Sequence, residues 1–254
     1  MLIRSFLCLA AALAASQAAA APRVLQNCAT LNEPGSYVVG RNLSANNDCF
    51  VIDSDFVTID LDGFVISGNG TGSAFVERLA VGRRGLTLRN GVVTGFANGV
   101  LMGNSSSITI ERVRFEDNTS NAVRAGDMVT VKDCHAVRNG RGIELGQRAL
   151  VSGNVVNESA LGPGILVGIG SNVIGNAVGR SHSGIVMSEG GLLSNNISRN
   201  NATYGVLMDC PGTVVGNTLS NNLTANLAQP GVGACDPTQG CCLVTGHNST
   251  ISSF

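Results

Sequence analysis

The 254-residue chain has no Trp, only two Tyr and a single Lys, Lys132. A chain so poor in aromatic residues cannot fill its core with large rings, so it must bury many small and β-branched aliphatic side chains. Charged residues make up 13% of the sequence and the formal net charge is −1, which excludes the basic footprint of a nucleic-acid-binding protein. Apolar runs after the N-terminus are too short to span a membrane, so no membrane span is predicted.

Residues 1–20 have the pattern of a secretory signal peptide. Arg4 precedes the apolar run FLCLAAALAA, and the small residues around Ala20 form a cleavage site. The mature protein is therefore predicted to be secreted or periplasmic.

Short apolar segments recur every 20 to 23 residues along the chain: GVLMG at 99, AVRAG at 122, GIELG at 142, GILVG at 164, GIVMS at 184 and GVLMD at 205. A second apolar segment follows each of them, such as VSGNVV at 151–156 and VIGNAV at 173–178. A fixed period of this length is typical of a solenoid, in which each unit buries its apolar face against the next. Gly, Asn and Ser interrupt every helical pattern, and the Leu-x-x-Leu-x-Leu frame of leucine-rich repeats is missing, so the pattern indicates an all-β solenoid.

Four asparagines, Asn154, Asn176, Asn196 and Asn217, fall at the same place in successive repeats. Stacked rungs lie about 4.8 Å apart, so these side-chain amides can bond to one another in a continuous ladder. Because Asn tolerates left-handed backbone, we expect these residues to occupy the left-handed position of a tight corner. Asn201, by contrast, is interpreted as part of an exposed turn. Cys134 aligns with the four asparagines and is predicted to be a buried free thiol.

The segments CATLNEPGSYVVGRNL at 28–43 and CFVIDSDFVTIDLDGFVISGNG at 49–70, together with the rungs that follow, resemble a known class of proteins. The rungs resemble right-handed parallel β-helix proteins of the pectate-lyase-like superfamily. The front end is similar to exported bacterial β-helix proteins, which include relatives of the periplasmic copper-binding family that matures nitrous oxide reductase. The resemblance implies a single-stranded right-handed parallel β-helix of about 8–9 rungs over 49–254, with an N-terminal cap at 21–48. It is specific for fold but not for function, since the superfamily contains lyases, hydrolases, epimerases and scaffolds.

Seven cysteines follow the predicted signal peptide, and an oxidising compartment makes disulfides the expected state. Cys28 and Cys49 bracket the entry segment and are predicted to pair. The remaining disulfide candidates are Cys210, Cys235, Cys241 and Cys242, which allow three pairings. The alternative is a metal site formed by Cys235, Cys241, Cys242 and His247, but this spacing matches no common zinc pattern, so no metal is predicted.

The outward positions of the first strand in each repeat are mainly aliphatic: Leu101, Arg124, Glu144, Leu166, Val186 and Leu207. Arg124 and Glu144 are predicted to form a surface ion pair. An aliphatic stripe of Leu166, Val186 and Leu207 is unusual for a solvated sheet. It predicts cover by the 226–242 loop or by a second subunit, and hence a possible homo-oligomer.

The charged residues concentrate in rungs three to five, where Arg114 and His135 are predicted to stack outward on adjacent rungs, with Lys132 beside Glu111. The alternative is a solvated face neutralised by cross-rung ion pairs. His135 and Arg114 are the weak candidates for catalysis. The predicted binding residues are Arg114, Arg124, Lys132, His135, Arg138 and Glu144.

These residues do not form a recognisable catalytic set. Hydrolases need paired carboxylates, and none are clustered here; His182 is interpreted as a turn residue. The primary hypothesis is an exported β-helix protein that binds extracellular or envelope polysaccharide, without a cofactor. The alternatives are a uronate-polymer lyase or epimerase, for which Ca²⁺ would be a possible cofactor, and an assembly scaffold.

Overall fold

The computed structural model describes residues 21–229 and the backbone of two further strands at 243–245 and 249–251. The predicted signal peptide, Cys235, Cys241, Cys242 and His247 lie outside the described residues.

The described residues form short β-strands joined by turns, with one turn of 3₁₀ helix at Arg78–Ala80. No helix among them is long and apolar enough to cross a membrane. The strands are β1 (Arg23–Leu25), β2 (Ala29–Leu31), β3 (Gly35–Val39), β4 (Leu43–Ser44), β5 (Phe50–Ile52), β6 (Val57–Asp60), β7 (Val65–Ser67), β8 (Ser73–Glu77), β9 (Thr87–Thr94), β10 (Asn98–Met102), β11 (Thr109–Glu116), β12 (Asn121–Ala125), β13 (Thr130–Lys132), β14 (His135–Val137), β15 (Arg141–Leu145), β16 (Leu150–Ser152), β17 (Val155–Asn157), β18 (Pro163–Val167), β19 (Asn172–Ile174), β20 (Ala177–Gly179), β21 (Ser183–Met187), β22 (Leu192–Ser194), β23 (Ile197–Arg199), β24 (Tyr204–Met208), β25 (Thr213–Val215), β26 (Thr218–Ser220), β27 (Ala225–Ala228), β28 (Leu243–Thr245) and β29 (Ser249–Ile251).

Each strand pairs in parallel with the equivalent strand one rung away, which confirms the predicted right-handed parallel β-helix, here of about 9 turns. One sheet of ten strands receives a single strand from each rung. The sheet of nineteen strands receives two strands from most rungs, and the long strands β9 and β11 each take the place of such a pair. β1 pairs with β3 and β2 with β5, so the segment at 21–48 already contributes strands to both sheets.

The core is a set of inward columns that are mainly aliphatic, as the composition predicted, although phenylalanines also contribute to it. Four fully buried phenylalanines, Phe50, Phe75, Phe96 and Phe115, lie towards the N-terminal end, and the rings of Phe50 and Phe75 stack at 5.4 Å. Later rungs are filled mainly by Val, Ile and Leu, together with Met187 and Met208.

The first Asn ladder is confirmed. Asn154 Nδ2 donates to Asn176 Oδ1 at 2.9 Å, and the same bond joins Asn176 to Asn196 and Asn196 to Asn217 at 3.0 Å each. Each oxygen also accepts the backbone N–H of the ladder residue one rung earlier. Cys134 occupies the next position of this column, and its backbone N–H donates to Asn154 Oδ1 at 2.9 Å.

The left-handed corner position is not where the sequence predicted it. The residues with positive φ are those that precede the ladder asparagines: Gly153, Gly175, Asn195 and Gly216, with φ of 67°, 66°, 55° and 65°. The expectation of left-handed ladder residues is therefore wrong. A ladder amide must point inward to reach the next rung, and the chain bends at the left-handed residue immediately before it.

A second polar ladder lies at the next corner and was not predicted. Asn118 Nδ2 donates to Asn139 Oδ1 at 2.9 Å, and later in the same column Asn201 Nδ2 donates to Asn222 Oδ1 at 2.8 Å. Asn201 is only 2% exposed, so its interpretation as an exposed turn residue is wrong. The spacing of Asn118, Asn139, Asn201 and Asn222, with serines between them, was the signal that could have revealed this ladder.

The cysteine predictions are confirmed where they can be observed. Cys28 and Cys49 form a disulfide, Cys210 is also disulfide-bonded, and Cys134 is a buried free thiol. The predicted loop does not begin at position 226, because Ala225–Ala228 forms the last strand of the ten-stranded sheet.

Candidate functional site

The nineteen-stranded sheet places three of the predicted binding residues on the outer face of two adjacent rungs. The strand register sets Arg114 beside His135 and Glu111 beside Lys132, as predicted. Arg114, Lys132 and His135 are all exposed. Since residues at the same position of successive rungs are neighbours, the repeat spacing was sufficient to bring these side chains together.

The charges of this face are largely neutralised by one another. Asp60, Arg89, Glu111 and Lys132 follow each other in register with alternating sign, and Arg89 Nε lies 2.8 Å from Asp60 Oδ2. Burial alone would raise the pKa of Asp60, but hydrogen bonds from the Asp62 amide, Asn90 and Arg89 lower it below its usual value. This alternation fits the predicted alternative of a solvated face with cross-rung ion pairs.

Arg114, one of the two weak catalytic candidates, is held by a carboxylate on its own strand. Its Nε and Nη2 both contact Glu116 Oε1, with the Nε contact at 3.1 Å. Its guanidinium is therefore already neutralised, and His135 lies beside it on the next rung. The two residues provide an imidazole and a cation in one place, but no carboxylate pair faces them from the adjacent strand positions, Val92 and Val155.

A second alternating column lies at the corner that follows this sheet. This corner charge column consists of Asp117, Arg138, Glu158 and Arg180, all with φ between 51° and 60°. Arg138 donates from Nε to Asp117 Oδ1 at 2.7 Å and from Nη2 to Asp117 Oδ2 at 2.9 Å, and Arg180 Nη2 lies 3.4 Å from Glu158 Oε1. The hydrogen bonds from Arg138 lower the pKa of Asp117. Only Arg138 of these four was predicted as a binding residue.

An open groove of about 480 Å³ runs beside the corner charge column and spans three rungs. Asp117, Arg138 and Glu158 form one wall, and Leu161, which is 69% exposed, supplies an apolar side chain. The second polar ladder lies beneath, since Asn118 and Asn139 also line the groove. The corner groove is therefore an open depression that combines charged and amide side chains with the apolar side chains of Ala160 and Leu161.

Two predicted binding residues lie elsewhere. Arg124 and Glu144 face outward from the ten-stranded sheet, where Arg124 Nε lies 3.4 Å from Glu144 Oε1, and this confirms the predicted ion pair. Arg141 Nη1 contacts the other oxygen of Glu144 at 3.3 Å. Because the two sheets face different directions, the six predicted binding residues do not form one site.

Three comparisons place the chain among known proteins. A family profile described as "Periplasmic copper-binding protein (NosD)" matches residues 50–233, whereas a search of curated proteins found no match. Among solved structures, the A-module of the Azotobacter vinelandii mannuronan C-5 epimerase AlgE4 is similar, with a TM-score of 0.61 and 17% identity. That match covers 77% of this chain, which spans only 63% of the epimerase module.

Two further alginate epimerase structures match less closely. The A-module of the Azotobacter vinelandii epimerase AlgE6 has a TM-score of 0.40 and 16% identity, over 85% of this chain and 78% of that one. A variant of the periplasmic alginate epimerase AlgG has a TM-score of 0.33 and 11% identity, over 87% and 79% of the two chains. Scores this low do not establish a shared fold, so only the first structural match bears on the architecture.

Proposed function

The chain belongs to the NosD family of periplasmic copper-binding proteins, and on that premise we propose that it binds a hydroxyl-rich polysaccharide of the cell envelope in the corner groove. The family membership confirms the predicted secreted or periplasmic location. The observation that carries the proposal is the groove itself, where paired carboxylate and guanidinium groups stand beside an exposed Leu161 on three consecutive rungs.

The chemistry of the groove suits sugar hydroxyls. Asp117 and Glu158 can accept hydrogen bonds from hydroxyl groups, and Arg138 can donate to hydroxyl oxygens. The bidentate contact between Arg138 and Asp117 holds both groups in place before a ligand arrives, which lowers the entropic cost of binding. Leu161 offers an apolar surface for the C–H face of a sugar ring.

The charge balance favours a neutral chain over a polyanion. The groove and the adjoining face carry nearly equal numbers of cations and anions: Arg112, Arg114, Lys132 and Arg138 against Glu111, Glu116, Asp117, Asp133 and Glu158. A polyanion would need a surplus of positive charge along its path. The ligand is therefore expected to be recognised through hydroxyl groups.

The described residues do not fit a copper site. Copper prefers Cys, Met and His ligands. Among the described residues, Met102, Met187 and Met208 are buried in the core, and no group of three or more His, Cys, Asp or Glu could hold a metal. Cys28 and Cys49 are joined in a disulfide. Burial raises the pKa of Cys134 to about 11, so this thiol stays protonated in the core. We therefore derive no role for copper from these residues.

The test is calorimetric titration of the protein with β-glucan oligosaccharides and with polymannuronate. Arg138→Gln removes one side of the groove and should weaken glucan binding at least tenfold, because both of its contacts to Asp117 are lost. Arg148→Gln is the matched control, since Arg148 is also an exposed arginine with left-handed backbone but lies at a different corner and does not line the groove. It should leave binding within about twofold of wild type. Equal effects of the two substitutions, or no glucan binding at all, would contradict the proposal.

A uronate lyase or epimerase is the second candidate, favoured by the adjacency of His135 and Arg114. Abstraction of a sugar C5 proton needs a base beside a cation that stabilises the carboxylate. Polymannuronate incubated with the protein, with and without Ca²⁺, should show neither unsaturated product nor epimerised residues by NMR, because Glu116 already neutralises Arg114. Turnover that His135→Ala abolishes would establish the enzyme instead.

A further inference from the structure

The outward face of the ten-stranded sheet carries a feature that the proposed function does not use. One residue from each rung faces out in register, and together they form what we term the axial stripe: Thr30, Val51, Val76, Leu101, Arg124, Glu144, Leu166, Val186, Leu207 and Ala228. Six of the ten are Val or Leu. A solvated sheet normally places polar residues on its outer face, so an aliphatic outer face indicates a surface that packs against another protein surface.

The surroundings of the axial stripe allow another surface to approach closely. Beside it, two positions further along the strands, lies a column of glycines: Gly103, Gly126, Gly146 and Gly168. The Val and Leu side chains are themselves only partly exposed and pack along the sheet. The face is therefore flat along one side, and a second sheet can pack on it at the usual separation of about 10 Å.

The pattern of aliphatic and charged residues in the axial stripe is symmetric about its centre, and the two central charges are opposite in sign. Three aliphatic residues precede Arg124, and three follow Glu144. A two-fold axis that passes between these two charged residues, perpendicular to the solenoid, would place Arg124 against Glu144 of the other copy. It would also place Leu101 against Leu166, Val76 against Val186 and Val51 against Leu207.

We propose that two copies of this chain pack through the axial stripe in antiparallel orientation to form a symmetric dimer. In such an interface each residue contact occurs twice, so a self-complementary pattern is what two-fold symmetry requires. The Arg124 side chain is 50% exposed, so its guanidinium can face Glu144 of a second copy while it stays beside Glu144 of its own chain. Parallel packing is disfavoured, because each residue would face its own copy and Arg124 would meet Arg124.

The chain's own C-terminal segment is a poorer match for this surface. Residues 230–242 read PGVGACDPTQGCC, in which Val232 is the only Val, Leu, Ile, Met or Phe. Burial of the six aliphatic side chains of the axial stripe requires a partner surface with a similar number of aliphatic side chains. A second axial stripe meets that requirement, and it also supplies the opposite charges at the centre.

Disulfide trapping tests the orientation of the dimer. The variants Leu101→Cys and Leu166→Cys are purified separately and oxidised alone or as an equal mixture. The mixture should give a cross-linked dimer at several times the yield of either variant alone, because these positions face each other only in the antiparallel arrangement. Cross-linking of Leu101→Cys with itself at equal yield would overturn that arrangement.

Charge-reversal variants test whether the partner is a second copy of this chain, and they do so without an introduced cysteine. Arg124→Glu leaves a copy with two carboxylates at the centre of the axial stripe, and Glu144→Arg leaves one with two guanidinium groups. Each variant alone should dimerise at least tenfold more weakly than wild type in sedimentation experiments, because like charges then meet. Mixed in equal amounts, the two should recover the dimer as a heterodimer.

A matched control distinguishes disruption of this interface from the general effect of placing a charge on an apolar surface. Leu166→Asp should abolish the dimer, whereas Val155→Asp, on the outer face of the nineteen-stranded sheet, should leave it intact. Wild-type protein that stays monomeric at high concentration would overturn the proposal. The proposal does not rest on glycan binding, because the corner groove and the axial stripe share none of their residues.

Discussion

At the scale of single residues, Cys134 shows how the core changes the chemistry of a side chain. It takes the place of an asparagine in the first Asn ladder, is 1% exposed, and contacts the Lys132 carbonyl oxygen through its sulfur at 3.3 Å. Burial raises the pKa of the thiol to about 11, so the reactive thiolate is scarce at neutral pH.

We predict that Cys134 reacts with thiol reagents only after unfolding. At pH 8, wild-type protein and Cys134→Ser should bind equal amounts of reagent when native, and differ by one thiol per chain when denatured without reductant. In the unfolded chain the pKa returns to its ordinary value, so the thiolate becomes accessible as well as more abundant. A difference of one thiol in the native proteins would show that Cys134 is not buried.

The ladder asparagines should be costly to replace in both corners. Asn176→Ala leaves the backbone N–H and the amide of Asn154 without their acceptor, and Asn201→Ala has the same effect on the Ser181 backbone N–H. Each substitution should lower the free energy of unfolding by about 1–3 kcal/mol in urea titrations. Asn172→Ala, an exposed outward position, is the control and should change stability by less than about 0.5 kcal/mol.

At the scale of elements, the corners decide the shape of each rung. Successive rungs each contribute two strands to the nineteen-stranded sheet, and a residue with left-handed backbone follows the first of them. In three rungs this residue is a glycine: Gly153, Gly175 and Gly216. Elsewhere charged residues adopt the same conformation, as in the corner charge column. There the carboxylate–guanidinium pairs of neighbouring rungs offset part of the backbone strain.

Alanine substitutions at two glycines with open space around them can distinguish the cost of backbone strain from the cost of a steric clash. Gly175 has φ of 66° and Gly103 does not have a positive φ, and an added methyl group would meet no atom within 4 Å at either position. Gly175→Ala should therefore lower the free energy of unfolding by about 1 kcal/mol, since left-handed backbone is unfavourable for alanine. Gly103→Ala should be neutral or slightly stabilising. Equal urea midpoints for the two variants would contradict this account.

At the scale of the whole molecule, the protein is a stack in which each rung contacts mainly its neighbours. The first rungs have a partner on one side only, and the Cys28–Cys49 disulfide joins β2 to β5 at that end. It closes a loop with a sequence separation of 21 residues. A cross-link of this span restricts the unfolded chain and stabilises the folded state by about 2–4 kcal/mol.

Removal of this disulfide should therefore destabilise the protein. The double variant Cys28→Ala/Cys49→Ala should have a lower denaturation midpoint in guanidinium chloride, with faster amide hydrogen exchange concentrated in β2 and β5. The remaining rungs should keep their protection because their neighbours are unchanged. Uniform loss of protection along the chain would show that the solenoid unfolds as one unit from this end.

The repeat spacing was sufficient to predict an all-β solenoid and much of its surface, and the family resemblance supplied the right-handed parallel β-helix. In a parallel solenoid, residues one period apart in sequence become neighbours in space, so spacing translates directly into contact. For this reason the first Asn ladder, the Arg124–Glu144 ion pair and the adjacency of Arg114 with His135 could all be derived from position numbers.

What the period could not determine was how each rung bends. The direction of the chain at a corner depends on backbone dihedral angles, and Arg138 and Glu158 belong to residue types with no left-handed preference that a sequence pattern would reveal. The corner groove, the buried state of Asn201 and the separation of Arg124 from Arg114 all follow from those bends. The sequence by itself determined which residues are neighbours along the solenoid axis, and the tertiary structure alone decided which residues meet around it, because spacing carries no information about the angle between strands.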